Sequence, residues 1–216
     1  MSADPDFPTL QSACKQFDLD LTQSQYDLLT RYTQILRDWN QRINLVSRRD
    51  PGRILSYHVI DSLAVQRLLP QDARVCDVGS GAGLPGIPLA LVRPDLKTLL
   101  IESSQKRSRF LATAVSELGL GNVEVLNERA ESLSPLECDV VLSRLSGPLP
   151  DVVKQAGRHL KADGKIVLYK MQDCAAELRK AARLLARFRL RVVGSHDVLL
   201  PLSGIPRRFI VLASSR

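Results

Sequence analysis

Glycines crowd one short stretch of the sequence, between an apolar run typical of a strand and a run compatible with a helix. The stretch Val75–Gly86 carries glycines at positions 79, 81, 83 and 86, and Asp77 stands inside the apolar run, two residues before the first glycine. Glycines at this density let the backbone approach a ligand with no side chain in between. The stretch therefore predicts a binding loop for a nucleotide-like cofactor.

Two cofactor classes compete for this loop. The spacing Gly81-x-Gly83-x-x-Gly86 matches the dinucleotide pattern, and Glu102 lies 19 residues beyond Gly83, where an acid would meet a ribose. Asp77 argues against a dinucleotide, because a carboxylate repels a pyrophosphate in a partly desolvated pocket. S-adenosylmethionine carries a sulfonium and an ammonium, which a carboxylate attracts. The sequence favours this methyl donor, and the structural alternative is a turn that the glycines build and Asp77 caps.

The elements that must position these residues alternate strand and helix from position 73 onward. Strands are predicted over 75–78, 98–102, 122–127, 138–143, 164–170, 191–199 and 207–213, and helices over 87–92, 106–118, 147–160 and 174–190. This rhythm predicts an α/β fold of the Rossmann-like class, with a seven-stranded, mostly parallel sheet, helices on both faces and a last strand pair able to run antiparallel. We expect an N-terminal helical extension over 1–72 and one compact methyltransferase domain over 73–216.

Ligands of such a sheet collect at the carboxyl ends of its strands. The predicted ends supply acids at Glu102 and within 127–131, which could hold an adenosine ribose and the methionine amine. They also supply two cations, Arg144 and Lys170, which could hold an anionic substrate beside the cofactor. The chemistry-bearing residues thus converge on one edge of the predicted sheet.

Helical signals precede the sheet. Thr22 and Gln25 form a capping-box pattern, and the stripe that follows includes Trp39 as a packing anchor. A second helix is predicted from Asp50-Pro51 to about Leu69. His58 and Asp61 lie three residues apart in it, so their side chains could meet on one face, either to hydrogen-bond each other or to contact a ligand.

The charge of the chain is uneven. Its net charge is +7, yet residues 151–216 carry 14 Lys and Arg against 5 Asp and Glu. A basic C-terminal third favours a polyphosphate partner such as RNA, with an ordinary solvated surface as the alternative. Four basic residues that could contact RNA phosphates recur along the predicted C-terminal helix: Arg179, Lys180, Arg183 and Arg187.

Composition excludes other classes of protein. The hydrophobic fraction of 44% is ordinary for a soluble domain, and no apolar run reaches the length of about 20 residues that spans a bilayer. The four cysteines show no C-x-x-C spacing and the chain has three histidines, so we expect reduced thiols and no metal site. The N-terminus lacks the features of a signal peptide, which predicts a cytoplasmic enzyme without a membrane partner.

Taken together, several motifs resemble those of the glucose-inhibited division protein B family, the ribosomal RNA small subunit methyltransferase G enzymes. The resemblance covers roughly residues 25–213. The segments that carry it are Trp39-Asn40, Asn44-Leu45, Arg49-Asp50-Pro51, His58, Asp61-Ser62, Asp77 to Pro88, Ser104 to Leu111, Ser143-Arg144 and Lys170. It implies a methyltransferase that uses S-adenosyl-L-methionine to methylate N7 of a guanosine in 16S rRNA, with 16S rRNA or the small ribosomal subunit as partner. We expect the chain to be a monomer.

The resemblance also implies roles for individual residues. It places five residues in the cofactor pocket: Gly79, Leu84, Ala130, Glu131 and Arg144. The glycine loop and the end of the second strand add four more candidates for this pocket: Asp77, Gly81, Gly83 and Glu102. The RNA side is expected to include Asn44, Arg49, His58, Asp61, Ser62 and Lys170. The sequence departs from the family pattern at Leu145 to Pro148, after the Ser-Arg pair, and at Met171, after the strand-five lysine. Both departures concern the shape of the guanine slot.

Guanine N7 has an unprotonated lone pair at neutral pH, so its methylation requires no general base and depends on alignment. Arg144 and Lys170 are therefore the candidates for the catalytic role, as groups that grip guanine O6 or a flanking phosphate, while Asp77 and Glu102 hold the cofactor. Three alternatives stay open: an NAD(P)-dependent oxidoreductase on the same fold, a small-molecule or protein methyltransferase, and an RNA-binding module without enzymatic activity.

Overall fold

A parallel sheet forms the centre of the molecule. The computed structural model describes residues 4–47, 51–144, 149–171 and 174–214, and within these residues seven strands form one sheet in the order β3-β2-β1-β4-β5-β7-β6. The strands are β1 (Arg74–Val78), β2 (Lys97–Ile101), β3 (Val123–Leu126), β4 (Cys138–Ser143), β5 (Leu160–Lys170), β6 (Leu190–Leu199) and β7 (Pro206–Ser214).

Strand direction divides the sheet into two parts. β1 pairs in parallel with both β2 and β4, and β5 continues the parallel part beside β4. β7 runs antiparallel to β5 and to β6, which confirms the predicted α/β fold with an antiparallel last pair. The strand order reverses between β1 and β4, so the carboxyl ends of these two strands flank the crevice in which such sheets bind ligands.

Helices cover both faces of the sheet. They are α1 (Phe7–Lys15), α2 (Gln23–Asn40), α3 (Ile60–Leu63), α4 (Gly86–Val92), α5 (Gln105–Glu117), α6 (Leu149–Gly157) and α7 (Ala175–Arg187). Residues of β1 alternate between two cores, with Val75 in one and Cys76 in the other, as the two-residue period of a strand dictates. The first core contains residues of α1 to α5, and the second contains residues of α6 and α7.

The N-terminal helices pack on the first core. Thr22 Oγ1 accepts a hydrogen bond from Gln25 N and Gln25 Oε1 accepts one from Thr22 N, so the predicted capping box is formed. Trp39 packs edge to face on Phe110 of α5 at a centroid distance of 5.8 Å, which confirms its packing role. The described helices include none long and apolar enough to cross a membrane.

The single helix predicted from Asp50 to about Leu69 is wrong in form. Asp50 lies outside the described residues, and the segment that follows is a 3-10 turn at Pro51–Arg53, a π-helix at Ile54–Val59, α3 and a second 3-10 turn at Gln66–Leu68. Most side chains of the π-helix and all four of α3 are buried, so tertiary contacts override the regular helical ladder. Wide π turns of this kind are frequent at functional sites.

The predicted helix over 147–160 also ends early, at Gly157. Residues 147 and 148 lie outside the described part of the chain, and Leu160 already belongs to β5, where it pairs with Cys138 of β4. The pairing lengthens β5 by four residues beyond the predicted start at 164.

Candidate active site

The glycine loop between β1 and α4 forms the floor of a cleft at the carboxyl edge of the sheet. Gly79, Gly81 and Gly83 have φ angles of 74°, 55° and 79°, which L side chains rarely adopt. A Cβ on Gly81 would find its nearest neighbour, Gly79 O, at 3.7 Å, so this position is open. A Cβ on Gly83 would lie 2.5 Å from Ile87 Cδ1, so Gly83 serves the packing of the loop against α4.

Asp77 lies beneath this loop. Its side chain is buried, and Oδ2 accepts a hydrogen bond from Gly86 N at 3.0 Å, at the first residue of α4. Oδ1 is buried as well and has no hydrogen-bond partner among the described residues. Burial raises the pKa of this carboxyl to about 7, against the lowering effects of the Gly86 N–H and of Arg144. The protein thus keeps an acid with one unsatisfied oxygen under its cofactor loop.

Glu102 follows β2 and closes the loop from the other side. Oε2 accepts a hydrogen bond from Gly81 N at 3.0 Å, and Oε1 accepts one from Ser104 N at 2.8 Å. The side chain is 5% exposed, yet it lines a cavity. Glu102 therefore fixes the loop and presents a carboxylate to the same space.

Two cavities flank Gly79, which lines both. One, of about 110 Å³, is lined by Val78, Gly79, Ile101, Glu102, Ser103, Glu128, Arg129, Ala130, Glu131 and Gln155. The other, of about 210 Å³, is lined by Leu45, Val46, His58, Gly79, Ser80, Gly81, Ala82, Leu84 and Arg144. A ligand that spans the loop would occupy both cavities, one on each side of the backbone at Gly79.

The first cavity is shaped by the segment after β3. His159 is fully buried, and its Nε2 lies 2.9 Å from Ala130 O. A carbonyl oxygen only accepts, so Nε2 carries the proton and donates it. Burial lowers the pKa of His159, which keeps the ring neutral. Arg158 Nη1 donates to Glu131 O, so two neighbouring residues before β5 hold this wall of the cavity.

The second cavity is bordered by Arg144, directly after β4, and by His58 of the π-helix. Arg144 Nη2 lies 2.8 Å from His58 Nδ1. A guanidinium only donates, so Nδ1 is the acceptor and the proton of the imidazole resides on Nε2. The contact fixes both the tautomer and the orientation of His58 at the edge of the cleft.

Asp61 and Ser62 lie behind this edge, and neither lines the two cavities. Asp61 is fully buried and binds Arg144 Nη2 through Oδ2 at 3.0 Å. Ser62 Oγ donates to His58 O at 2.7 Å, and Ser62 O accepts from Tyr169 Oη at 3.2 Å. The two residues support the walls of the cleft and are not part of them.

Other residues expected at the RNA side are more scattered. Lys170 Nζ pairs with Glu177 Oε1 at 2.8 Å, and Asn44 is exposed in the loop after α2. Arg49 and the departure over residues 145–148 lie outside the described residues. Met171 is 55% exposed, so the second departure places a large apolar side chain at the surface beside Lys170.

Two residues that shape the cleft were not predicted from the sequence. Asn40 Oδ1 accepts from Leu45 N at 2.8 Å and from Val46 N at 3.0 Å, which folds the loop after α2 over the second cavity. An asparagine at the end of a helical stripe is a signal for such a turn. Arg207, at the start of the apolar strand β7, forks onto Asp61. Its signal in the sequence was a basic residue at the start of a predicted apolar strand.

The described part of the chain brings together no group of three or more His, Cys, Asp or Glu side chains that could hold a metal ion.

Solved structures share this fold. A SAM-dependent methyltransferase from Aquifex aeolicus superposes with a TM-score of 0.56 at 22% identity, over 76% of this chain and 94% of that one. The 1,6-didemethyltoxoflavin-N1-methyltransferase of Burkholderia thailandensis, solved with S-adenosylhomocysteine, superposes with a TM-score of 0.57 at 16% identity, over 87% and 91% of the two chains. At these identities the likeness establishes the methyltransferase fold.

Sequence comparison places the chain within a family. Proteins named ribosomal RNA small subunit methyltransferase G are 44% identical over 163 residues in Chromobacterium violaceum and 39% identical over 196 residues in Azoarcus sp.. The matches cover 74% of this chain and 78% of the first protein, and 90% of this chain and of the second. The family model described as rRNA small subunit methyltransferase G matches residues 25–197. The chain therefore belongs to the rRNA small subunit methyltransferase G family.

Proposed function

We propose that this chain transfers a methyl group from S-adenosyl-L-methionine to N7 of a guanine in the 16S rRNA of the small ribosomal subunit. The relatives carry the name of ribosomal RNA small subunit methyltransferases. The observation that carries the choice of cofactor is the Asp77 carboxylate bonded to Gly86 N at the start of α4.

This contact opposes a dinucleotide. In dinucleotide-binding folds the pyrophosphate lies against the N-terminus of the helix after the glycine loop. Here the buried Asp77 carboxylate already occupies the Gly86 N–H at that helix end. A pyrophosphate would lose this donor and would face a carboxylate, which favours a cationic ligand in its place.

The residues around the loop fit the proposed methyl donor. Asp77 Oδ1 is a buried acceptor without a partner among the described residues, and a sulfonium or ammonium nearby would stabilise its ionised form. Gly79 and Gly81 provide the close backbone approach, and Glu102 borders the cavity on the other side. Four further residues that line the two cavities are proposed to contact the cofactor: Leu84, Ala130, Glu131 and Arg144. Gly83 is proposed to serve the site indirectly, by packing the loop against α4. When bound, the cofactor supplies an electrophilic methyl group.

Methyl transfer to N7 moves no proton. The lone pair of guanine N7 would accept the methyl group directly, so the residues of the cleft have no proton to remove from the base. The protein therefore needs no general base, and its contribution is alignment of the two reactants. Arg144 could donate to guanine O6 or to a flanking phosphate, since occupation of N7 itself would block the reaction.

Lys170 is proposed to act in substrate capture. Its ammonium is paired with Glu177, and its side chain is 12% exposed. A phosphate that approaches this edge would have to compete with Glu177 for the ammonium. Of the two cations, Arg144 borders the cavity directly and is the stronger candidate for alignment. His58 borders the same cavity, while Asn44, exposed in the loop after α2, is proposed to meet RNA farther out. Arg49 is proposed to contact RNA on the family resemblance alone.

The proposed activity is tested by mapping N7-methylguanosine in small-subunit rRNA. A strain that lacks the gene should lose one such nucleotide, and the wild-type gene should restore it. An Arg144→Ala variant should lower turnover by about 100-fold through misalignment, while Arg31→Ala on the exposed face of α2 should behave as wild type. Unchanged methylation in the strain without the gene would contradict the proposal.

Calorimetry separates the cofactor classes. We expect the purified chain to bind S-adenosylmethionine and not a nicotinamide dinucleotide, and the opposite result would favour the oxidoreductase alternative.

We further propose that the chain works as a monomer in the cytoplasm. The four cysteines are free and buried, as is usual in a reducing compartment, and light scattering of the purified protein tests the monomeric state.

A further inference from the structure

Arg207, the second residue of β7, places a buried guanidinium behind the cleft. Its side chain is 8% exposed. Nε donates to Asp61 Oδ1 at 2.6 Å and Nη2 donates to Asp61 Oδ2 at 2.8 Å. Two parallel bonds of this kind are the strongest arrangement between an arginine and a carboxylate, and they fix the plane of both groups.

Asp61 also contacts a second arginine. Arg144 Nη2 lies 3.0 Å from Asp61 Oδ2 and 2.8 Å from His58 Nδ1. The fully buried Asp61 carboxylate thus lies between two guanidiniums, one bound by two atoms and the other by one. Among the described residues, Arg144 meets Asp61 and His58 through Nη2, and its side chain lines the second cavity.

The other donors of Arg207 have partners as well. Nη1 lies 3.5 Å from Lys170 O, and Nη2 lies 3.4 Å from Tyr57 Oη. Arg207 therefore ties β7 to the end of β5 and to the π-helix, the two elements that carry Lys170 and His58. It contacts neither of the two cavities itself.

We propose that Arg207 is a positioning residue for methyl transfer: it occupies the two-point face of Asp61 and so holds Arg144 in a one-point contact that leaves its other donors in the cleft. The inference rests on the proposed function only in taking this cleft as the site of transfer. Without Arg207, the nearest cation to the buried carboxylate is Arg144, which then turns onto Asp61 with both amino groups and leaves His58 and the cleft.

The kinetic test compares three variants on small-subunit RNA with S-adenosylmethionine, below the unfolding temperature of each. Arg207→Met should lower kcat by about 100-fold, with the KM for the methyl donor much less affected. The double variant Asp61→Asn with Arg207→Met also removes the carboxylate that draws Arg144 out of the cleft, so it should recover about tenfold of that loss. The matched control is Arg208→Met.

Arg208 suits this purpose because it makes the same two-point contact in a different environment. It is the next residue in β7 and forks onto Asp197 of β6 with two bonds of 2.5 Å, but the side chain of Asp197 is 46% exposed. We expect Arg208→Met to change kcat by less than about twofold.

A spectroscopic readout reports the position of Arg144 without activity. The chain has three histidines, so the ring nitrogens of His58 can be assigned by ¹⁵N labelling. The wild-type protein should show His58 as the Nε2–H tautomer with a hydrogen-bonded Nδ1, and Arg207→Met should lose the Nδ1 bond while His196 stays unchanged. If Arg207→Met does not fold, Arg207→Lys is measured in its place. A lysine keeps the charge but cannot make the two-point contact, so the Nδ1 bond of His58 should again be lost, and its retention would overturn the inference.

Unchanged His58 signals in a folded variant, or full kcat in Arg207→Met, would overturn the inference. The two proposals can also fail separately. If the wild type does not methylate rRNA but Arg207→Met still loses the His58 contact, the proposed function is contradicted and the positioning role of Arg207 is kept.

Discussion

Asp77 uses its two carboxylate oxygens differently. Oδ2 holds the Gly86 N–H and so organises the turn into α4, while Oδ1 is buried without a partner among the described residues. The capping role and the electrostatic role, which are alternatives in the sequence, therefore coexist in one side chain. The partnerless Oδ1 costs little free energy while the carboxyl is neutral, and it becomes unfavourable when the carboxyl is charged.

The pKa of Asp77 gives a prediction at this scale. Burial raises it from 3.8 to about 7, so between these values the native state holds a proton that the unfolded state has lost. The contribution of Asp77 to the free energy of unfolding of the ligand-free protein should therefore fall as pH rises through this window and become flat above it. A cationic ligand favours the ionised form, so its binding should release a proton, and its affinity should rise between pH 5 and 7 by at most about tenfold per pH unit.

Calorimetry with S-adenosylmethionine in two buffers of different ionisation enthalpy measures this proton release. The Asp77→Asn variant keeps an acceptor for Gly86 N but cannot ionise, so both the release and the pH slope should disappear. Asp95→Asn, which alters a carboxylate paired with Arg93 away from the cleft, should retain both. Equal pH slopes in the wild type and Asp77→Asn would exclude Asp77 as their source.

At the scale of elements, the glycine loop has two functions: it presents a surface to the ligand, and it packs against α4 and α5. A Cβ on Gly81 would make only an ordinary contact with Gly79 O, at 3.7 Å, whereas a Cβ on Gly83 would meet Ile87 and, at 3.2 Å, the side chain of Leu111 in α5. In the sequence, both glycines occupy equivalent positions of the dinucleotide pattern, which does not distinguish a ligand contact from a packing contact. Their tertiary surroundings separate them, since a Cβ at one position would meet solvent or ligand and at the other would meet the core.

This difference predicts unequal costs for two alanine substitutions. Gly119, after α5, has a φ of 64° and nothing within 4 Å of a Cβ, so Gly119→Ala should cost only the left-handed backbone, about 1 kcal/mol. Gly83→Ala has a similar φ and also overpacks the core, so it should cost about 2–4 kcal/mol. Urea unfolding of both variants measures the difference in the free energy of unfolding, and equal values would refute the packing role of Gly83.

At the scale of the whole molecule, the basic surface is separated from the acids of the cleft. Residues 151–216 hold a large excess of Lys and Arg, and four of them lie exposed along α7, whose buried residues Ala181 and Leu185 face the second core. The acids of the cofactor loop lie on β1 and directly after β2, whereas α7 packs against β6 at the opposite edge of the sheet. A polyanion can therefore approach the basic face of α7 without meeting the carboxylates that a cationic cofactor requires.

We expect α7 to contribute to RNA affinity through phosphates. Reversing Arg179 and Arg183 to Glu should weaken binding of small-subunit RNA and reduce the slope of log K against log salt by about 0.7 to 0.9 per lost contact. The same change at Lys15 of α1 and Arg31 of α2, both exposed, is the matched control and should leave the slope unchanged. The measurement is RNA affinity over a salt series, and an equal slope for the α7 variant and the wild type would assign α7 to ordinary solvated surface.

The sequence alone determined the order of strands and helices, the glycine loop with its acid, and the family resemblance. These features follow from local rules: apolar periodicity sets the elements, and a loop that must approach a ligand needs glycine. The alternating strands and helices also predicted the carboxyl edge on which Glu102 and Arg144 both lie, because parallel strands bring their ends to the same side.

The tertiary structure alone decided which of the polar residues face the cleft. The spacing of His58 and Asp61 predicts that they meet each other on one helical face, yet both contact Arg144, which lies more than 80 positions away in the sequence. Arg207 reaches Asp61 from the last strand of the chain. These contacts depend on the π-helix and on β7, which runs antiparallel to β5. A buried carboxylate is stabilised by the cations that the fold places beside it. Because those cations are far from Asp61 in the sequence, no local pattern predicts them.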